Sequence, residues 1–392
     1  MIEGKESAAV GRPLRYGMVG GGPGSFIGGV HRSAIAFGGY GTLVAGCFSR
    51  NPANSAVTGR ELHLDEDRVY ADFEEMARKE AGRTDAIDFV VIAAQNDSHY
   101  PAAKAFLEQG IHVMCEKPLA HTLEQALELK ALAKKKKCLF GVAYAYAGHV
   151  MAKEARAIVE SGEIGDIVMV MGEYPQEWLM DLLEKTEGQR QAAWRTDPKQ
   201  AGISNCLGDI GTHVENMVAM MTGLKIRQVC ASLDVIGKGR TLDTNAQVML
   251  RFTNGAKGMY WSSQVAAGYD NGLKVRIFGT KGAIEFVQEE SNYLKLSLKE
   301  QPPRRLSRGN GYLHPAASKN SRFPSGHPEG YNEAFANLYG AFTAAVRDRM
   351  DGKKAKESDY DYPKIDEGID GVKFVAKCVE SSRKGTVWID FD

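Results

Sequence analysis

Short apolar runs alternate with segments of helical periodicity from residue 14 to residue 146, and this alternation constrains the chain more than any other feature. The runs are LRYGMVG (14–20), LVAGCFSR (43–50), AIDFVVIAAQ (86–95), IHVMCEKP (111–118) and CLFGVAYAY (138–146). Between them lie HRSAIAFGG, FEEMARKEA, HYPAAKAFLEQG and TLEQALELKALAKKKK. The run at 86–95 has a continuous apolar centre, which marks a strand buried on both faces. Strand and helix repeated in this way predict a doubly wound parallel sheet. Gly110 is placed to end one helix as its C′ residue. The four lysines at 134–137 read as a solvated helix end favoured by the macrodipole.

The pattern changes after about residue 147. A helix, MAKEARAIVESG, precedes GDIVMVMGEY. Then VCASLDVIG, NAQVMLRFTNGAKGMYWSSQV and LKVRIFGTKGAIEFV set strand against strand. Asn254-Gly255 and Lys281-Gly282 supply the turn signals. This predicts an α/β domain with a largely antiparallel open sheet. Residues 301–330, rich in Pro, Ser, Gly and Arg, form a long connection, and such loops are functional or mobile. Two amphipathic helices follow, in YNEAFANLYGAFTAAVRDRM and IDEGIDGVKFVAKCVESSRKG.

Composition narrows the function classes. The chain has 392 residues, enough for two cores, with 49 Lys plus Arg against 49 Asp plus Glu. That balance supports neither a nucleic-acid footprint nor a basic membrane surface. The cysteines at 47, 115, 138, 206, 230 and 378 form no CxxC pair and no Cys/His cluster. This predicts a reducing compartment and no structural metal. The N-terminal MIEGKESAAVGRP has no apolar h-region, so a cytoplasmic protein is expected.

Four stretches carry chemistry. In MVGGGPGSFIGGVHR (18–32) a strand leads through Gly20 and Gly22 into a helix, as in the dinucleotide fingerprint. Gly28 takes the third glycine's place if three residues are inserted in the loop. Gly20, Gly22, Phe26 and Ile27 are the candidate cofactor contacts here. Residues 1–146 are then a dinucleotide-binding Rossmann domain, and 147–392 a substrate-binding and oligomerisation domain. Second, an NAD site carries Asp or Glu about 20 residues beyond the third glycine; here stand Ser49 and Arg50. A carboxylate would repel a 2′-phosphate, whereas Ser and Arg bind one, so NADP is favoured over NAD. Third, Lys117 sits at the carboxyl end of a strand, where ligands bind in open α/β sheets. Pro118 cannot continue a central strand and turns the chain away. Neighbours in a strand point to opposite faces, so Glu116 and Lys117 are not expected to pair. Fourth, Asp209 and His213 in GDIGTH are four apart, one turn on a helix face. A carboxylate there orients the imidazole and favours its cation, raising its pKa.

These stretches together resemble the Gfo/Idh/MocA family, which includes glucose–fructose oxidoreductase and inositol dehydrogenases. The resemblance runs from about residue 14 to the end. It rests on CEKPL after an apolar strand, IAAQNDSHYPAAKAFLEQGIHV, SGEIGDI (161–167), WRTDP with GDIGTH (194–213), and ESSRKGTVW. It implies that Glu116 contacts the nicotinamide end of the cofactor and that Lys117 lies beside nicotinamide and substrate. It implies that Asp209 and His213 contact substrate hydroxyls, with His213 the acid/base. Asn96 and His99 match the family's cofactor-side loop, and Trp194 with Arg195 match its WR segment. Tyr144 and Tyr146 replace a frequent basic pair at the substrate. His327, in HPEGY before a helix, is a further substrate candidate, and 301–330 is expected over the crevice or against a neighbouring subunit. The implied activity is hydride transfer between a nicotinamide and a secondary alcohol or ketone of a sugar, glycoside or cyclitol, in a homodimer or homotetramer. Two rival readings are a cofactor-binding regulator without turnover and a redox-assisted glycosidase.

Overall fold

The computed structural model describes residues 12–392. Most of the N-terminal stretch read above as free of a targeting segment lies outside the described residues. The first five strands are β1 (Arg15–Gly20), β2 (Thr42–Cys47), β3 (Phe89–Ala93), β4 (His112–Cys115) and β5 (Phe140–Val142). They form one sheet in the order β2-β1-β3-β4-β5, every neighbour parallel. The order reverses between β1 and β3, and the crevice beyond that switch point is where such sheets bind ligands. All five residues of β3 are buried, as its unbroken apolar run predicts.

Two local differences from the sequence reading matter. The helix after the glycine loop begins early, at Phe26–Phe37, because the Ser25 side chain caps it by accepting from the Gly28 amide at 3.3 Å. The fifth strand stops at Val142 instead of running through Tyr146. The Val142 and Ala143 amides donate to Pro363 and Cys115 carbonyls, and Ala145–Gly148 folds into a 3-10 turn. Gly148 permits that turn to lie flat on a neighbouring helix, since a Cβ there would sit 2.0 Å from the Ala334 carbonyl oxygen.

The second sheet has nine strands: β6 (Ile167–Pro175), β7 (Ile226–Asp234), β8 (Asn245–Phe252), β9 (Lys257–Ser263), β10 (Lys274–Gly279), β11 (Gly282–Val287), β12 (Tyr293–Leu298), β13 (Arg304–Ser307) and β14 (Ile389–Asp390). Their order is β13-β12-β11-β10-β6-β9-β8-β7-β14. β6 and β9 run parallel, and the other neighbours are antiparallel. The helices Val150–Glu160, Thr212–Thr222 and Ile365–Arg383 pack their apolar residues on one face of this sheet. No helix among the described residues is long and apolar enough to cross a membrane.

Residues 301–330 are ordered around a buried arginine. Arg308 donates to the Glu329 carboxylate at 2.7 Å, to the Phe323 carbonyl at 2.7 Å and to the His327 carbonyl. Glu329 also accepts the Arg322 and Phe323 amides. Arg322 then reaches Tyr40 on the first domain at 2.7 Å. Breaking a buried ion pair strands one charge and costs about 3–5 kcal/mol. Arg308→Met should therefore lower stability by about that amount in denaturant titration, while Lys299→Met on the exposed turn leaves it unchanged.

Candidate active site

The glycine loop is shaped by close approach. Gly20 has φ +82°, and a Cβ there would lie 2.3 Å from the Ala93 carbonyl oxygen. At Gly22 a Cβ would lie 2.6 Å from the Phe48 carbonyl oxygen, and at Gly28 2.3 Å from the Gly21 Cα. Gly28 thus does take the third glycine's place, pressing helix on loop. The Phe26 and Ile27 amides belong to the first turn, whose N–H groups a helix cannot satisfy internally. A backbone cradle without side chains, under a helix N-terminus, fits the diphosphate of a dinucleotide. The Phe26 ring itself is 70 % exposed and stacks on Tyr331, centroids 6.3 Å apart.

At the end of β2, Ser49 accepts the Asn51 amide at 3.1 Å. Arg50 pairs with Asp97 and donates to the Ser98 hydroxyl at 2.8 Å, so its charge is already partly matched. Asn96 opens the helix Asn96–Glu108 and makes one long contact, 3.4 Å to the Ala201 carbonyl. His99 behaves otherwise than the resemblance implies. It is buried, with its ring nitrogens at 2.7 Å from the Pro118 carbonyl and 3.1 Å from the Ala94 carbonyl. It braces the turn after Lys117 from beneath and has no free ring nitrogen for a cofactor.

Glu116 and Lys117 lie just past β4 and diverge. The Glu116 carboxylate meets His31 Nε2 at 3.0 Å and accepts the Lys117 amide at 3.1 Å. The Lys117 ammonium runs the other way, to the Asp209 carbonyl at 2.6 Å and Asp209 Oδ1 at 2.9 Å. Asp209 Oδ2 accepts from Arg195 Nε at 3.1 Å and Gln264 Nε2 at 3.0 Å. Burial alone would raise the Asp209 pKa, yet the charges of Arg195 and Lys117 outweigh it and hold the carboxyl well below its usual range. Arg195 thus pairs with Asp209, and its guanidinium stacks on Trp194 at 4.2 Å.

The helix bearing Asp209 is not the regular turn expected. Leu207–Gly211 is a π-helical turn that runs into Thr212–Thr222. Single π-turns recur at functional sites because the extra residue re-aims side chains. Here Asp209 turns to the cations and makes no hydrogen bond with His213. The expected upward shift of the His213 pKa is overturned for the same reason. Burial and the nearby Lys117 charge push it well below 6.5, and Asp209 offsets this only in part. Neither ring nitrogen of His213 has a hydrogen-bond partner among the described residues, and the ring is walled by Tyr146 at 4.8 Å and Tyr174 at 6.2 Å.

Tyr146 belongs to that wall. Its hydroxyl lies 2.6 Å from that of Tyr174, which donates to Asn271 Oδ1 at 2.6 Å, while Asn271 Nδ2 reaches Tyr146 at 3.3 Å. Tyr144 packs edge-on to the His213 ring at 5.7 Å, but from the core side, and offers no hydroxyl to the crevice. Its hydroxyl has no partner and lies where a Cβ on Gly371 would be, 2.2 Å away, inside the core behind His213. His327 is also outside: its side chain is exposed, and only its backbone is engaged, the carbonyl by Arg308 and the amide by the Pro324 carbonyl. The residue from that region that reaches the crevice is Tyr331, 5.9 Å from Tyr146 and stacked on Phe26. Tyr331, Tyr174, Asn271, Gln264 and His31 escape the sequence reading, because none sits in a spacing that marks it out.

The comparisons with known proteins bear on this geometry. Residues 14–144 match the model of an oxidoreductase family with an NAD-binding Rossmann fold, and residues 152–285 match the GFO/IDH/MocA C-terminal domain. The chain belongs to the Gfo/Idh/MocA family. It is an oxidoreductase built on an NAD-binding fold. It is 37% identical to "Uncharacterized oxidoreductase YfiI" of Bacillus subtilis (strain 168), over 97% of this chain and 98% of that protein. An inositol dehydrogenase homolog from Azotobacter vinelandii, complexed with NADH and myo-inositol, superposes with a TM-score of 0.92 at 37% identity, covering 97% of this chain and 98% of that one. A levoglucosan dehydrogenase in complex with NADH and levoglucosan superposes with a TM-score of 0.81 at 27% identity, covering 97% and 99%.

The charge on Lys117 lowers the His213 pKa, so removing it must raise that pKa. Imidazole titration by NMR in Lys117→Met should show His213 taking up its proton at a higher pH than in the wild type. A lower or equal titration point would contradict the electrostatics of the cluster.

Proposed function

We propose that the chain is a dehydrogenase that oxidises a secondary alcohol of a sugar or cyclitol with a nicotinamide dinucleotide as hydride acceptor. One observation carries this reading. His213 is a buried imidazole kept neutral, with neither ring nitrogen hydrogen-bonded among the described residues, beside a lysine anchored by a carboxylate. An ammonium has three N–H donors. Asp209 takes two of those on Lys117, through its carbonyl and Oδ1, which leaves one for an alcohol oxygen. His213, being neutral, accepts the alcohol proton as the carbonyl forms, and Asp209 steadies the resulting cation. When bound, the nicotinamide supplies the hydride acceptor. Positioned acid/base catalysis contributes roughly 10²–10⁴ in rate. The remaining wall offers neutral hydroxyls and amides, from Tyr146, Tyr174, Tyr331 and Asn271, which suit a polyhydroxylated substrate. The myo-inositol and levoglucosan bound by the two related structures support the same class.

Ser49 in place of an acid, with Arg50 beside it, supports NADP over NAD. Asp97 at the same guanidinium opposes a 2′-phosphate, and the two related structures hold NADH. We place the domain boundary at 146/147, where the strand–helix repeat gives way. A homodimer or homotetramer is supported by the exposed methionines 169, 249 and 259 on the open face of the second sheet, where 249 stands opposite 259 and 169 lies diagonally beyond. A cytoplasmic location is supported by the unpaired cysteines alone.

A panel of sugars, cyclitols and glycosides with NAD and NADP, followed by nicotinamide absorbance, tests the activity. Oxidation of a free sugar or cyclitol is expected; release of an aglycone with no net reduction would identify the redox-assisted glycosidase instead. Lys117→Ala and His213→Ala should each lower kcat by at least about 10²-fold with cofactor binding retained. Full activity in either variant would remove that residue from the mechanism. NADP should bind more tightly than NAD in titration, and Ser49→Asp with Arg50→Ala should reverse the order; a wild type that prefers NAD refutes the assignment.

A further inference from the structure

The glycine-loop helix, the Glu116–Lys117 turn and the helix Tyr331–Met350 meet in a buried chain of hydrogen bonds that the mechanism above does not use. His31, fully buried, places Nδ1 2.6 Å from the Tyr339 hydroxyl and Nε2 3.0 Å from Glu116 Oε1. Phe335 lies edge-on to the imidazole at 4.9 Å and Tyr339 at 5.8 Å. Phe335 and Tyr339 stand four apart on one helix, so they present one face to the ring.

We propose that His31 is a positioning residue for Lys117, holding the Glu116 carboxylate so that it clamps the lysine's backbone and stays away from its ammonium. The inference rests on the reading of Lys117 as catalytic. Both Glu116 oxygens are engaged, Oε1 by His31 and Oε2 by the Lys117 amide. Without the imidazole, Oε1 loses its donor. A carboxylate so released, one residue from Lys117, is free to swing toward the ammonium and compete with Asp209 for it. The tautomer is set from the far side. Burial raises the Tyr339 pKa well above its ordinary value, so the hydroxyl stays protonated, and Nδ1, its one hydrogen-bond partner among the described residues, is where its O–H points. Nε2 then carries the ring proton and donates to Glu116. Tyr339, on the far helix, thus reaches Lys117 through three hydrogen bonds, and all three residues that make them are buried.

Three variants and one spectrum test this. His31→Phe keeps a ring and removes both nitrogens; His31→Gln restores a donor near the Nε2 position; Tyr339→Phe removes a single hydroxyl. With the best substrate of the panel, His31→Phe should lower kcat by about 10-fold or more, the scale of a misplaced catalytic group, with the Kd for NADH unchanged. His31→Gln should recover most of that loss, and His31→Phe should have no further effect on the residual rate of Lys117→Met. Where His31→Phe does not fold, Tyr339→Phe carries the kinetic test, with a smaller loss in the same direction. The ¹⁵N spectrum of His31 should show a protonated Nε2 and a bare Nδ1 in the cofactor-free protein. An unchanged kcat in the folded His31 variant or in Tyr339→Phe, an equal loss in the Lys117→Met background, or the opposite tautomer would overturn the inference. Unchanged turnover in Lys117→Met alone is the separate result that overturns the proposed function.

Discussion

The candidate active site depends on the ion pair between Lys117 and Asp209, which joins the end of β4 to the π-turn of the second domain. Both groups are largely withdrawn from water. Taking two charges out of water is repaid only when the geometry and the remaining hydrogen bonds are good. Here they are: the ammonium has two contacts on Asp209, and the carboxylate's other oxygen is held by Arg195 and Gln264. The pair therefore fixes two domains and two side chains at once. A lysine free to follow solvent would hold no oxygen in place.

The same concentration of charge decides what His213 can be. A carboxylate one turn away, acting alone, would make it a cation and useless as a base. Asp209 is instead shared among three cationic or amide donors, and its pull on the imidazole is outweighed by burial and by Lys117. Burial and Lys117 then keep the ring neutral. The π-turn is the backbone feature that separates the two residues, and its first amides are held by the buried Asp243, which accepts from Asn205 and Leu207. A buried acceptor that ties down backbone amides lets an irregular helix persist where a regular one would have aligned Asp209 with His213.

The segment 301–330 and the helix after it supply the other half of the design. Arg308 gathers carbonyls from the loop and pairs with Glu329, so the loop arrives at Gly330 in one conformation. The helix then carries Tyr331 to the crevice, and Phe335 with Tyr339 to His31. Residues 301–330 themselves bring no side chain to the tyrosine wall of the crevice; Tyr331, just beyond them, does, while the His327 side chain faces water.

Much of this was legible in the residues themselves. Apolar runs and glycine placement determine both sheets, the switch-point crevice and the cradle around Gly20, Gly22 and Gly28, because strand and helix periods and the room a missing Cβ leaves are local properties. Lys117 before Pro118, and the four-residue spacing of Asp209 and His213, likewise mark the candidate site. What only the tertiary structure decided is where side chains point and how they titrate. His31 and Glu116 are 85 residues apart, Lys117 and Asp209 are 92 apart, and His31 and Tyr339 are 308 apart. Tyr144 turned into the core, His99 turned under a backbone turn and His213 lost its proton affinity for the same reason. Burial and electrostatic potential belong to the neighbours that the topology assembles, and no window of sequence contains them.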